Sequence, residues 1–326
     1  MIASSHMIVN RNGGFLIILL GIALICSHPF FARADTCKVP PPISAIDPPG
    51  FYDDPDGYSE AIKPLHGFIE RVNQAADSGD KACLLELLND WARTNALMAP
   101  IKGYQGYYER SWAGTDFAFA LLRFFPQSKK DAPVVPPAIS RWLIDIAAST
   151  RDANAINRLH NNLVYWAGLD LAATGALTKR SDLIDAGIAR AREGIKDIQR
   201  NGTLQRELKR GDRALHYHNF ALIPLVFTAE LAQAQGVDLY SENNGAIRRL
   251  ANLVISAVLD QNSFSAYTST PQQLFPWTFA GDLAWMEPYQ ARFQDPRLVA
   301  VIAQRRPFIN PRLGGDVTAA WSTHRI

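Results

Sequence analysis

Residues 157–199 read NRLHNNLVYWAGLDLAATGALTKRSDLIDAGIARAREGIKDIQ and hold two helical segments of opposite character. In the second, Leu183, Ile184, Ile188, Ala191, Ile195 and Ile198 fall on one stripe with Gly187 among them, and charge covers the other face. Such a helix is half-exposed and lies on the outside of a fold. The first, 157–176, is apolar nearly all round, which marks a helix buried on most sides. The same two kinds recur along the chain: 137–150 and 243–259 are amphipathic, whereas 212–226 and 277–291 are apolar with a few Asn, His, Tyr, Trp and Asp. This alternation predicts an all-α fold of helical hairpins in two concentric layers, an α/α toroid or incomplete α/α barrel. Periodicity alone also permits an α-solenoid.

Working outward, helices are expected at about 57–77, 80–97, 112–125, 137–150, 157–176, 181–199, 212–233, 243–259, 277–292 and 297–305, with breaks at Gly, Pro, Asn or Asp. No alternating strand set is evident. Residues 35–56 form an extended arm, because six prolines lie between Cys37 and Asp56 and proline neither donates within a helix nor leaves its predecessor free to be helical. A single domain over 57–326 follows.

The first 34 residues carry Arg11 and Arg33, no acid, and twelve uncharged residues from Phe15 to Cys26 before Ala32-Arg33-Ala34. They read as a signal peptide cleaved near Ala34, whose twelve-residue apolar run is too short to span a bilayer of about 30 Å as a helix. The expected product is periplasmic, without a membrane anchor, and monomeric. Without Arg11 and Arg33 the remaining chain has 31 basic and 31 acidic residues. A strongly basic nucleic-acid binder is thereby excluded, and any polyanion must be gripped by a local cluster. Cys26 leaves with the leader, so Cys37 and Cys83 are expected to form one disulfide. Neither a metal nor an organic cofactor is expected, since of the five remaining histidines only His216 and His218 lie close together.

Two constellations carry the candidate chemistry. In His160-Asn161-Asn162-Leu163-Val164-Tyr165-Trp166, adjacent amides in an apolar helix need partners, and an inner helix would point them either at a neighbour or into a central cleft. In Glu207-Leu-Lys-Arg210-Gly-Asp212-Arg213-Ala-Leu-His216-Tyr217-His218-Asn219-Phe220, Asp212 reads as a helix cap with Arg210 in the preceding loop. There Arg210 would favour the Tyr217 phenolate. Weaker signals are Trp285 and Tyr289 in WMEPY and Arg312 before Gly314-Gly315. Tyr104, Tyr107 and Arg110 are expected on a loop before an inner helix, where with Arg213 and Arg312 they could grip an anion. No nucleophile elbow, P-loop, dinucleotide fingerprint or H-E-x-x-H motif is present.

Taken together, CKVPPP, ACLLELLNDWARTNAL, NNLVYWAGLDLAATGALTKRSDLIDAGI, RELKRGDRALHYHNFALIPL, GVDLYSENNGAIRRL, AWMEPY and RLGGDVT resemble the alginate lyases of polysaccharide lyase family five. The resemblance implies an α/α barrel, the Cys37–Cys83 pairing and β-elimination on an acidic polysaccharide of 1,4-linked mannuronate or glucuronate. It further implies that Tyr217 moves the proton, Arg210 assists it and Asn162 faces the substrate carboxylate. The family motif N-N-H-x-Y-W has a histidine where this chain has Leu163. Two readings follow: a site rebuilt with His216 or His160 in support, or a non-catalytic polyuronate-binding relative. Asn161, Trp166 and His218 complete the expected substrate contacts.

Overall fold

The computed structural model describes residues 37–126, 134–273 and 280–322; the expected signal peptide lies outside them. Helix α1 (Pro55–Asp77) starts where Asp54 Oδ1 accepts from Gly57 N at 2.9 Å and Pro55 takes the first helical position, a combination suited to a helix N-terminus. It pairs with α2 (Lys81–Arg93). The hairpins α3 (Tyr104–Leu122) with α4 (Pro137–Asp152), α5 (Asn162–Thr178) with α6 (Ser181–Asp197), and α7 (Ala214–Gln233) with α8 (Glu242–Leu259) follow. Helices α9 (Met286–Phe293) and α10 (Leu298–Arg305) lead to a two-residue antiparallel hairpin, β1 (Ile309–Asn310) and β2 (Gly315–Asp316).

Helices α3, α5 and α7 are the inner wall. They pack on one another in that order, while α4, α6 and α8 cover them from outside. In α5 every residue except Leu163 and Thr178 is buried, whereas α6 buries only its stripe of Leu183, Ile184, Gly187, Ile188, Arg190, Ala191, Gly194 and Ile195. Burying such a face at about 25 cal/mol per Å² is what binds the layers. The toroid expected from the alternating helix types is therefore the observed architecture, and β2 packs back on α1, bringing the end of the chain to its beginning.

Several boundaries differ from expectation, each for a tertiary reason. Helix α3 begins at Tyr104, eight residues before the expected start, so Tyr104, Tyr107 and Arg110 are helical and not on a loop. Gly106, which reads as a break, is needed because a Cβ there would lie 2.3 Å from the Ile46 carbonyl oxygen of the arm. Helix α2 stops at Arg93 because Leu97 and Ala99 donate their N–H groups to Ile43 and Ser44 of the arm, both at 2.8 Å. Helix α5 starts at Asn162, with Asn161 as its cap and His160 outside it in a left-handed conformation (φ +47°). In the expected 277–292 helix, 280–283 is a 3-10 turn, only Met286–Phe293 is α-helical, and 277–279 lie outside the described residues. The β1–β2 hairpin is an addition to the expected all-helical plan.

The arm runs extended from Cys37, which is bonded to Cys83 in α2 with Cα atoms 5.4 Å apart. The Trp91 indole N–H donates to the Pro40 carbonyl at 3.0 Å, and Asp47 accepts from the N–H groups of Lys102 and Gly103.

One buried acid inside the wall gives a stability prediction. Asp170 on α5 is wholly buried among the hydroxyls of Thr150, Ser111 and Thr174, and burial raises its carboxyl to about 7. The folded protein keeps this proton up to about pH 7 while the unfolded chain releases it near pH 4, so Asp170 costs stability as pH rises through that window. Asp170→Asn should gain on the wild type by about 1.4 kcal/mol per pH unit between about pH 4.5 and 6.5. Urea unfolding at both pH values checks this; parallel profiles would remove the assignment.

Candidate active site

Tyr217 stands on the first turn of α7, after a 3-10 turn over Gly211–Arg213. Asp212 is not the cap expected from the sequence; its carboxylate accepts from Gln273 Nε2 at 2.6 Å, and Arg213 occupies the cap position. The Tyr217 hydroxyl lies 2.7 Å from the hydroxyl of Tyr52, delivered by the arm. The Arg210 guanidinium sits 4.6 Å from the centre of the Tyr217 ring and that of Arg213 is 4.0 Å from the centre of Tyr52, both within cation–π range. Burial, reinforced by the Tyr52 contact, pushes the Tyr217 phenol above its ordinary value, while Arg210 and Arg213 pull it down. Arg210 acts in the expected direction, but desolvation wins and the resting side chain is the neutral phenol.

His216, beside Tyr217, stacks at 5.9 Å on Phe220 and is pushed down to about 4 by burial and then by the fields of Arg312 and Arg213. It is therefore an uncharged imidazole near neutrality.

Glu207 organises the second side of the site. It is 1% exposed, and its Oε1 accepts from both the backbone N–H and Nδ2 of Asn162, at 3.1 and 2.9 Å. Its Oε2 accepts from Arg210 Nε at 3.4 Å. One buried carboxylate thus holds the amide and the guanidinium in fixed relation. Asn162 Oδ1 has no hydrogen-bond partner among the described residues. Asn161 is the cap of α5, its Oδ1 accepting from Leu163 N at 3.0 Å, and Leu163 itself is half-buried against the core.

The floor is aromatic. Tyr104, Tyr108 and Trp112, four residues apart on α3, form a ladder with ring centres 5.7 and 6.2 Å apart, continued by Phe220 at 6.0 Å from Trp112. Residues at this spacing share one helix face. Arg312 lies over it, 4.4 Å from Trp112 and 5.6 Å from Phe220. Burial lowers His66 and the field of Arg312 adds to it, and the same field opposes the upward shift that burial imposes on Tyr58, Glu109 and Asp282. Neither Arg312 nor Arg213 forms an ion pair with a described residue.

The expected site residues divide accordingly. Tyr217, Arg210, Arg213, His216, Asn162, Tyr104 and Arg312 converge, Tyr104 also donating to Asp53 at 2.5 Å. Others serve packing. His218 is wholly buried, its Nδ1–H donating to Ala214 O and its Nε2 accepting from Leu204 N, which leaves no ring nitrogen for a substrate. Arg110 donates to Ser149 and to the Ala99 carbonyl, and Tyr107 lies beside it, off the aromatic ladder. Trp166 is buried behind Phe220, donating to its carbonyl. Trp285 donates to Asn219 Oδ1, and Tyr289 packs on Trp285 and Phe293 in the core. His160 is exposed and faces Glu193 of the outer helix α6 at 3.6 Å, so it is not one helical turn before Leu163. Sequence reasoning missed Tyr52, Tyr108 and Trp112 and gave no role to Glu207 and Phe220, the two ends of the 207–220 constellation; for Tyr108 and Trp112 the helical spacing of the α3 aromatics was a visible signal.

The sequence profile of the family described as alginate lyase matches residues 44–264. A polysaccharide lyase of Stenotrophomonas maltophilia is 36% identical across 93% of this chain and 95% of its own. An alginate lyase of Pseudomonas aeruginosa is 35% identical, with 78% of this chain and 71% of its own covered. The crystal structure of alginate lyase A1-III from Sphingomonas species A1 superposes with a TM-score of 0.71 at 26% identity, covering 87% of this chain and 86% of that one. A tyrosine-to-phenylalanine variant of that lyase, complexed with a tetrasaccharide, superposes at 0.70, with 26% identity over 87% of this chain and 85% of that one.

Proposed function

Because this chain belongs to the alginate lyase family, we propose that it is an exported, monomeric, periplasmic lyase of family-five type that cleaves 1,4-linked mannuronate or glucuronate by β-elimination. The observation that carries the reading is the cation over the aromatic floor. Arg312 rests on Trp112 without a carboxylate partner among the described residues, and an anionic sugar ring that stacks on the ladder supplies both the charge and the apolar face this arrangement lacks.

Elimination removes the C5 proton while negative charge spreads onto the neighbouring carboxylate. Asn162, held by Glu207, is the amide facing that carboxylate. Arg210 stands against the Tyr217 ring, favouring the phenolate that takes H5 and then returns the proton to O4. His216 stands in for the histidine that family members carry at Leu163, as a neutral N–H donor. A uronate carboxylate nearby offsets the field of Arg312 and Arg213 and draws the imidazole back toward its ordinary range.

The test is ultraviolet absorbance of unsaturated uronate on polymannuronate and polyglucuronate, compared with binding. Wild type should generate the chromophore; His216→Ala should lose about ten- to a hundredfold in rate, the share of one charge-assisted hydrogen bond felt only in the transition state. Leu163→His should restore most of that loss in the His216→Ala background. Binding without chromophore in wild type would instead establish a polyuronate-binding relative, and full activity in His216→Ala would remove the substitution of one histidine for another.

A further inference from the structure

Arg312 owes its place to a turn that lies outside the helical wall. Asn310 Oδ1 accepts from Arg312 N at 2.9 Å, and Asn310 Nδ2 donates to the Gly281 carbonyl at 2.8 Å, which fixes the near side of the turn. The far side is Gly314-Gly315, both left-handed at φ +76° and +89°. A Cβ on Gly314 would stand 2.6 Å from Ala120 N of α3, and one on Gly315 2.7 Å from Asp77 Oδ2, so the turn is wedged into the wall where only glycine fits.

Three side chains close on it. Arg123, 7% exposed just beyond α3, donates to the Gly314 and Asp316 carbonyls, each at 3.0 Å, and to Asp77 at the end of α1 at 2.5 Å. Asp77 accepts in turn from Asp316 N at 2.9 Å. Asp116, wholly buried on α3, accepts from Gly314 N at 2.8 Å. Apart from the Arg123–Asp77 pair, these contacts join residues nearly two hundred or more positions apart in the chain, and every backbone polar group they engage belongs to the Gly314–Asp316 segment. The Arg123 guanidinium pairs with the Asp77 carboxylate and also forks onto two main-chain carbonyls, so it fixes the geometry of the turn as well as balancing charge.

We propose that Arg123, with Asp77 and Asp116, is a positioning clasp that sets the Gly314-Gly315 turn against α1 and α3 and thereby holds Arg312 over Trp112. The value of this for turnover rests on the lyase reading above; the position of Arg312 does not. The groups that report it are His66 and His216, which feel Arg312, with Arg213 also acting on His216.

The experiment follows both imidazoles by NMR titration without substrate. In Arg312→Gln each should titrate about half a pH unit or more above wild type, because a nearby positive charge has gone. Arg123→Lys keeps the charge but not the two-carbonyl fork, and should raise both by a comparable amount. Adding Arg123→Lys to Arg312→Gln should then shift neither further. Asp77→Asn, at a more exposed position, should give the same direction with a smaller shift if Arg123→Lys does not fold. Unmoved imidazoles in a folded clasp variant, or shifts that add fully to those of Arg312→Gln, would overturn the clasp. On polymannuronate, Arg123→Lys should raise KM about tenfold with kcat within about twofold, as loss of uniform binding requires. An inactive wild type would refute the lyase reading alone.

Discussion

Tyr217→Phe should abolish elimination, by at least about a hundredfold and by up to about ten-thousandfold, the range a positioned acid–base group supplies. The fold should be unaffected, because among the described residues the hydroxyl bonds to the half-exposed Tyr52 alone, and such a bond contributes about 1 kcal/mol. Circular dichroism and the melting temperature should therefore match wild type while the absorbance assay falls to background. A pH profile adds a second constraint. Tyr217 rests as a neutral phenol held above its ordinary value, so the phenolate fraction grows tenfold per pH unit below that value, and kcat/KM should climb through the mildly alkaline range. Retained activity in Tyr217→Phe would dismiss the mechanism.

Glu207→Ala should be costly in two ways. Removing the carboxylate strips acceptors from the Asn162 amide, the Asn162 backbone N–H and Arg210, and leaving the two buried Asn162 donors unpaired costs about 1–3 kcal/mol each. A loss of roughly 3–5 kcal/mol in unfolding free energy is expected. Activity should fall about ten- to a hundredfold, since the amide and the guanidinium lose their common anchor. Glu207→Gln separates the two effects: the retained Oε1 still accepts from Asn162, so stability returns, whereas the amide nitrogen facing Arg210 cannot hold it and activity stays low. Denaturant unfolding and initial rates on the three proteins decide the matter, and a Glu207→Gln enzyme as active as wild type would show that Arg210 needs no anchor.

Glu207 also illustrates what the chain conceals. Its neighbours Arg206, Lys209 and Arg210 make it look like part of a solvated helix end, whereas in the fold it is buried and accepts from Asn162 of α5. The inner and outer helices were legible because apolar periodicity follows from burial, and the group of Tyr217, Arg210 and Asn162 because polar residues stand out in apolar segments. The fates of His216 and His218 were not. Two residues on a helix differ by about 200° in direction, so one imidazole meets Phe220 at the cleft while the other is locked between Leu204 and Ala214. Tyr104, Tyr108 and Trp112 carried the helical spacing in plain sight, but Gly103 and Gly106 read as loop, because the carbonyl that needs the space at Gly106 belongs to Ile46, sixty residues earlier in the chain.

The arm, finally, behaves unlike an ordinary surface connection. It is bonded covalently at Cys37, pinned at Ile43, Ser44 and Asp47 to the segment before α3, and terminated by the Asp54 cap. Between Asp47 and Asp54 the chain turns, Asp53 N and Asp54 N both donating to the Gly50 carbonyl at 2.9 and 3.0 Å, and this turn brings Tyr52 opposite Tyr217. Surface loops usually absorb insertions and deletions, but here one added residue would break the Gly50 turn that presents the Tyr52 hydroxyl to Tyr217. The length of this segment is therefore under tighter constraint than its composition, and homologous arms of different length must present a different hydroxyl, or none, to the tyrosine.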